Sequence, residues 1–254
     1  MNRRDREYYI ISDSPLKKDL LRFFRKNERL IILDIGGCEG EDSIRYSRIF
    51  PLSKIYVFEP LPYNQKLITE NLSKYQVANV ELIPCAVSDI EGVSQFYVSS
   101  GHPENMQNDE HWNYGNKSSS LLSPDEKNMI DWLDFKEKIN VETVTIKKFM
   151  EKTNTTIVDF IHMDVQGAEL KVLEGAKDNL SKVKAIWLEV SDIKLYENQP
   201  LRIEVENFMK DNGFYLYKTV LEGNFGDQLY INKKYFKIFN ILNKYKIIQR
   251  IDGF

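Results

Sequence analysis

Cysteine is almost missing from this chain. Two occur in 254 residues, Cys38 and Cys85, and no CxxC pair exists. A disulfide framework and a zinc ribbon are thereby excluded, and the expectation is two reduced thiols in a cytoplasmic protein. Long apolar runs are missing too. Nothing approaches the roughly 20 residues a spanning helix needs, so no integral membrane segment is expected. The opening MNRRDREYYIISDSP lacks the apolar stretch and small-residue cleavage site of a signal peptide. Nor is there a basic surplus, since 35 Lys and Arg stand against 38 Asp and Glu. Proteins that live on nucleic acid carry the opposite balance in order to neutralise phosphates, so nucleic acid is not an expected partner. Internal repeats and low-complexity tracts are absent as well.

What is present suits a single large α/β domain with an insertion. The hydrophobic fraction of 42% can build a core, and the charged fraction of 29% fits an ordinary surface. Apolar positions at Leu16, Leu20, Leu21, Phe23 and Phe24 suggest a short docking helix. The nearly all-apolar run Leu30 to Ile35 reads as a strand covered on both faces. A helix over Asp42 to Phe50, a strand over Lys54 to Glu59, a helix over Tyr63 to Tyr75 and a strand over Val80 to Cys85 follow. This alternation is one mononucleotide-binding half of a doubly wound sheet. Gly92 to Ser99 reads as an extra strand, and 100–138 is a long polar stretch of the functional or disordered kind. Val141 to Thr145 is expected to return the chain to the sheet, followed by a helix over Ile146 to Lys152. The second half repeats the alternation: strand Ile157 to Asp164, helix Ala168 to Leu180, strand Ala185 to Val190 and helix Leu201 to Asn212. Strands Phe214 to Lys218 and Gln228 to Ile231 form an antiparallel end hairpin. Residues 1–232 are read as one domain, with an insertion over about 92–145. The tail Lys233 to Phe254 reads as a basic amphipathic helix, a candidate for packing on the domain or on a second copy, with membrane contact as the less favoured alternative.

Four segments carry chemistry. LDIGGCEGEDS, Leu33 to Ser43, follows the first strand. Gly36 and Gly37 allow a sharp turn and close backbone approach, and Gly40 opens the helix. Asp34 at the strand end is placed to accept a hydrogen bond from an ammonium. Glu39, Glu41 and Asp42 make the loop acidic, which suits a cationic cofactor and not a phosphate. Cofactor candidates here are Asp34, Gly36, Gly37, Glu39, Gly40, Asp42 and Ser43, although an ordinary tight turn has the same composition. The second segment is FEP. Glu59 ends the second strand, where an acid reaches ribose hydroxyls, and Pro60 stops the ladder. In the third, PCAVSD, small residues at a strand end leave room for a flat base beside Ala86, Val87 and Ser88. The fourth is FIHMDVQGAELKVLEGA. Asp164 lies at the carboxyl end of its strand, and His162, two residues earlier, shares its face.

DIGG-x-x-G, FEP-x-P and MDVQGAEL-x-VL-x-GA followed by LEV resemble the FkbM methyltransferase family, over about Ile31 to Ile231. The resemblance implies a class I fold that binds S-adenosylmethionine (SAM), a Rossmann-like, mostly parallel seven-stranded sheet. It also implies O-methylation, often of sugars or polyketide-like alcohols. Asp34, Gly36, Gly40, Glu59 and Asp164 fall on its cofactor and active-site positions. Relatives commonly carry Lys where His162 stands, which points to a different base here.

The resulting expectation is a SAM-dependent O-methyltransferase. Its acceptor is a sugar hydroxyl, nucleotide-linked or part of a surface polysaccharide precursor. His162 and Asp164 are the catalytic candidates, since a base near neutral pKa suits a weakly nucleophilic hydroxyl. Trp112, Ser118, Ser119, Glu169 and Glu189 are the substrate-binding candidates. A divalent cation on Asp164, Glu189 and Asp192 is the minority alternative. A nicotinamide oxidoreductase would want G-x-G-x-x-G where this chain has D-I-G-G-C-E-G. A non-catalytic module on the same fold would not need these motifs together.

Overall fold

A computed structural model describes residues 6–102, 114–125, 127 and 130–236. Its elements run α1 (Arg6–Ile11), α2 (Lys17–Phe23), β1 (Ile31–Ile35), α3 (Glu41–Ile49), β2 (Lys54–Phe58), α4 (Pro62–Lys74), β3 (Val80–Ile83), β4 (Ala86–Val87) and β5 (Gly92–Gly101). There follow β6 (Leu133–Val144), α5 (Ile146–Lys152), β7 (Val158–Met163), α6 (Glu169–Ala176), β8 (Val183–Ser191), α7 (Arg202–Asp211), β9 (Phe214–Glu222) and β10 (Phe225–Asn232). Seven strands form one sheet in the order β3-β2-β1-β7-β8-β10-β9. Its four pairings from β3 to β8 are parallel, and β10 runs antiparallel to both β8 and β9. This is the doubly wound, mostly parallel sheet with an antiparallel end hairpin expected from the sequence. The strand order reverses between β1 and β7, and the crevice above such a switch is where open α/β sheets bind ligands.

Both faces of the sheet are covered, which is why its strands read as continuous apolar runs. Leu33, Ile35, Ile161, Met163, Ile186 and Leu188 point to the α5, α6 and α7 side, against Phe149, Val172, Leu173 and Val205. Ile32, Phe160, Trp187 and Leu229 point the other way, against Leu20, Tyr46 and Ile49 of α2 and α3. Each such side chain contributes about 1.5–3 kcal/mol on burial, so the two layers fix the sheet's register. With Ile32 and Phe160 turned towards α3, period 2 brings Asp34 and His162 to the same face. They are register partners in the β1–β7 ladder.

Four expectations need correction. The strand read over Val80 to Cys85 is split: β3 stays in the main sheet, and the chain then departs. The strand read as returning over Val141 to Thr145 is the end of β6, and it does not enter the main sheet. It lies in a second, three-stranded sheet of order β4-β6-β5. Phe96 and Val141 pack there on Leu61 and Ala86. The first part of β6, with Lys136, Glu137 and Lys138 exposed, is too charged to read as a strand, so much of it was assigned to the polar stretch. The helix read to Leu180 ends at Ala176. Lys177 adopts φ 48°, and a 3-10 turn completes the span to Lys182. The six-residue α1 is too short to show periodicity and went unread.

The tail begins with turn residues, and Phe236 sits edge-on to Phe23 at 5.1 Å and Phe24 at 5.9 Å. The helix expected over 233–254 otherwise lies outside the described residues. No helix among the described residues is long and apolar enough to cross a membrane.

At the switch point, Gly36 has φ +83°, and a Cβ built on it would meet the Asp164 carbonyl oxygen at 1.9 Å. Gly223 also has positive φ, +65°, but open space around it. Gly36→Ala should therefore cost on the order of 3–5 kcal/mol, from strain and overlap together. Gly223→Ala should cost about 1 kcal/mol. Urea unfolding of both variants checks this, and equal losses would contradict the close approach.

Candidate functional site

The turn after β1 is built by backbone hydrogen bonds. Gly36 and Gly37 both donate to the Phe58 carbonyl at 3.0 Å, and Gly40 donates to Gly37 at 2.6 Å. Cys38 and Gly40 take left-handed conformations, so the loop curls back on itself before α3. Glu59, just past β2, faces this loop. Its carboxylate accepts from the Cys38 N–H at 3.0 Å and the Leu61 N–H at 2.8 Å. Burial nevertheless pushes Glu59 up to about 8, so it holds a proton near neutrality unless a ligand's donors replace water.

Three clefts open here. The first, of about 510 Å³, is lined by Gly36, Cys38, Glu59, Pro60, Ala86 and Val87 together with Asn64, Asn116 and Ser119. The second, of about 500 Å³, runs under Tyr9 past Asp34, Gly37, Asp42 and His162. The third, of about 740 Å³, is walled by Leu133, Phe135, Leu195, Tyr196 and Phe225, with Glu189, Gln166 and Ser118 on its polar side. Asp164 and Lys117 line all three. Asp164 is exposed to this shared space although protein surrounds it.

The polar groups are tightly organised. Asp34 accepts from Ser43 Oγ at 2.5 Å, and its other oxygen lies 3.6 Å from His162 Nδ1. His162 Nδ1 is also 3.2 Å from the Tyr46 hydroxyl. Asp42 accepts from the Tyr9 hydroxyl at 2.9 Å and pairs with Arg45. Lys117 pairs with Glu41 at 3.2 Å. After β7, the Gln166 amide donates to Asp164 at 2.6 Å and to Glu189 at 3.0 Å, bridging two carboxylates. Tyr196 donates its hydroxyl to the Ser118 carbonyl at 2.6 Å, tying this wall to the insertion.

Desolvation dominates the electrostatics. It pushes Asp34 up to about 6 against the opposing pull of His162, and it raises Asp164 and Glu189 as well. His162 is raised above its ordinary value: burial opposes its charge, but Asp42, Asp34, Asp164 and Asp227 together outweigh that. The whole floor is an acidic basin containing one imidazole and one ammonium.

Of the residues picked from sequence, Asp34, Gly36, Gly37, Asp42, Glu59, Pro60, Ala86, Val87, His162, Asp164, Ser118 and Glu189 line these clefts. Five do not. Ser43 is fully buried and holds Asp34; Gly40 caps α3. Glu39 is buried against Asn116 and Asn71, and Ser88 is turned to Asp89. Glu169, read as substrate-binding, instead accepts the Gly167 N–H at 3.2 Å at the start of α6. Ser119, read the same way, lines the first cleft and not the third. Trp112 lies outside the described residues. Among the described residues, no three His, Cys, Asp or Glu side chains are arranged to hold a metal ion. Sequence reasoning missed Tyr9, Asn64, Asn116, Lys117, Phe135, Gln166 and Tyr196. Two left a signal: Gln166 lies inside the MDVQGAEL segment, and Lys117 is the single Lys or Arg between 99 and 126.

The chain matches the family model described as the methyltransferase FkbM domain over residues 34–216. It is 34% identical over 176 residues to the 2-O-methyltransferase NoeI of Sinorhizobium fredii, covering 68% of each chain. It is 23% identical over 207 residues to the methyltransferase sdnD of Sordaria araneosa, covering 72% of this chain and 73% of that one. A crystal structure of a putative methyltransferase from Streptococcus mutans in complex with SAH superposes with a TM-score of 0.47 at 13% identity. That match covers 87% of this chain and 99% of the other.

Three buried acids are raised in the fold: Asp34 to about 6, Glu169 to about 7 and Glu59 to about 8. The native state thus holds protons that the unfolded chain has already released. Their contribution to stability is lost as pH rises through the raised values. The melting temperature of the ligand-free protein should fall between about pH 5 and about pH 8, and Glu59→Gln should flatten the upper part of that slope. A melting series that rises across this range would contradict the assignment.

Proposed function

The chain belongs to the FkbM methyltransferase family and has the class I SAM-methyltransferase fold, and on that premise we propose that it methylates a sugar hydroxyl. The observation that carries this reading is the meeting of three clefts at Asp164. The donor set fits SAM. Glu59 stands where ribose hydroxyls would join its two backbone donors, and the small residues Ala86 and Val87 border the same cleft. The acidic floor around Asp34 and Asp42 suits an ammonium and a sulfonium. SAM supplies the electrophilic methyl group.

The third cleft is then the acceptor site, shaped in part by Ser118, Ile130, Leu133 and Phe135 of the insertion. Tyr196 and Phe135 offer ring faces to the C–H side of a sugar. Asp164, Gln166 and Glu189 offer closely spaced partners for its hydroxyls. The description of NoeI as a 2-O-methyltransferase supports oxygen as the acceptor atom.

We assign the base role to Asp164, which lines all three clefts. The base role read for His162 in the sequence passes to it, because His162 lines the cleft on the Asp34 side and not the acceptor cleft. The acceptor oxygen bonds to the methyl carbon while its proton passes to the Asp164 carboxylate and the carbon–sulfur bond breaks. The products are a methyl ether, S-adenosylhomocysteine and a neutral Asp164 carboxyl, so the sulfonium and carboxylate charges cancel. A raised carboxyl pKa makes Asp164 the better proton acceptor. His162 acts on it through its field, which lowers the Asp164 pKa.

Asp164→Asn should reduce turnover by roughly 10²–10⁴-fold while leaving SAM binding within a few-fold, read by calorimetry and by mass spectrometry on a panel of sugars. His162→Ala should move the acid limb of the kcat/KM profile to higher pH, because Asp164 loses the charge that depresses its pKa. Full activity of Asp164→Asn would remove it as base. Loss of activity on adding chelator would hand its role to a metal, and transfer to nitrogen acceptors alone would end the sugar-hydroxyl reading.

A further inference from the structure

The acceptor cleft has an unusual charge distribution. Glu189 on β8 and Asp227 on β10 are direct register partners across an antiparallel pair. Like charges at such positions repel, and a fold has no stability reason to keep them. Asp164 directly follows the neighbouring strand β7, so three carboxylates sit at adjoining strands at one end of the sheet. Asp164 raises the proton affinity of both others: burial and Asp164 push Asp227 up to about 6, and burial, Asp164, Glu169 and Asp227 raise Glu189. Lys117 is the one Lys or Arg among the described residues lining the cleft, and it faces Glu41 at 3.2 Å. The other lysines of the insertion, Lys127, Lys136 and Lys138, are not among the described residues that line the cleft.

Resting on the reading of this cleft as the acceptor site, we propose that the acceptor is a sugar with no anionic group in the cleft, uncharged or amine-bearing, and not a nucleotide-linked sugar. A pyrophosphate bonded to the anomeric carbon cannot be held far from carboxylates that grip the same ring. Among the described residues, no Arg lines the cleft to receive it. Hydroxyls and ammonium groups, by contrast, are donors that Glu189 and Asp164, which line the cleft, accept, with Asp227 adding its charge behind them.

The test compares kcat/KM for methyl glycosides, 2-amino-sugar glycosides, uronic acid glycosides and uridine-diphosphate sugars, in the wild type, Glu189→Gln and Asp227→Asn. The wild type should favour neutral and amine-bearing acceptors over anionic ones by at least about tenfold, a difference of about 1.4 kcal/mol. Each variant should narrow that gap. Added salt should lower KM for anionic acceptors only, a readout that stands even if a variant fails to fold. A wild type that prefers the nucleotide sugars and ignores methyl glycosides overturns the proposal and leaves the methyltransferase reading intact. Methylation of no sugar of any charge, by protein that binds S-adenosylhomocysteine, sinks the parent reading instead.

A separate observation concerns the first cleft. Asn116 is 5% exposed, and its Oδ1 has no hydrogen-bond partner. Its Nδ2 donates to Glu39 Oε1 at 3.2 Å and to Asn64 Oδ1 at 3.1 Å, which fixes the amide's orientation. Asn64 in turn hydrogen-bonds Glu59. A buried acceptor left unmade is costly, and this one lines the cofactor cleft beside Glu59. We infer that Asn116 Oδ1 accepts a hydrogen bond from a cofactor ribose hydroxyl.

Calorimetry with S-adenosylhomocysteine and its 2′-deoxy and 3′-deoxy analogues tests this. Asn116→Ala should weaken the parent ligand roughly tenfold, and one deoxy analogue should bind both proteins alike. Asn116→Ser serves if the alanine variant does not fold. Equal loss for all three ligands overturns the contact, whereas failure of the wild type to bind any of them counts against SAM use itself.

Discussion

Asp164 donates its backbone N–H to the Ile35 carbonyl at 3.0 Å, and Gly36 lies too close to the Asp164 carbonyl for any side chain to fit between. These contacts seal the ends of β1 and β7 where the sheet changes winding direction. The acidic loop, the Asp34–His162 pair and the Gln166 turn all start from that seam. Moving it would separate the clefts that share Asp164. The two apolar layers hold the seam in place, and the site inherits its geometry from their register.

The site is also where the fold accepts its largest electrostatic cost. Asp34, Glu59, Glu169, Asp164 and Glu189 are all raised above ordinary carboxylates, with desolvation as the leading cause. A core chosen for stability alone would not gather them. Partial relief comes from backbone donors at Glu59 and Glu169, the Ser43 hydroxyl at Asp34 and the Gln166 amide between Asp164 and Glu189.

Much of this was legible in the sequence because parallel strands buried on both faces announce themselves as apolar runs. β1, β2, β7 and β8 were placed within a few residues, and the acids at their ends followed. The second sheet was not legible. β6 alternates charged residues with half-buried ones, and its pairing with β5 spans more than thirty residues of polar chain. Tyr9 and Asn116 escaped for a related reason, since short elements carry no periodicity and only the fold brings them to the loop after β1. Ser43 and Glu169 were assigned to ligands when their partners are a neighbouring carboxylate and a helix start. Sequence position cannot distinguish a side chain that touches a ligand from one that orients the residue beside it.

Cys38 bears on a hazard that any methylating site faces. Cys38 lines the cleft proposed for the cofactor, and a thiolate is the nucleophile that an electrophilic methyl group would alkylate first. Burial is the main reason its pKa stands well above the ordinary thiol value, and Glu41, Glu59 and Glu39 add to the rise. The sulfur therefore stays protonated and unreactive. Carboxylates that attract a cationic reagent also keep the nearest soft nucleophile from being consumed by it, so self-inactivation is suppressed by charge even though the cysteine is there.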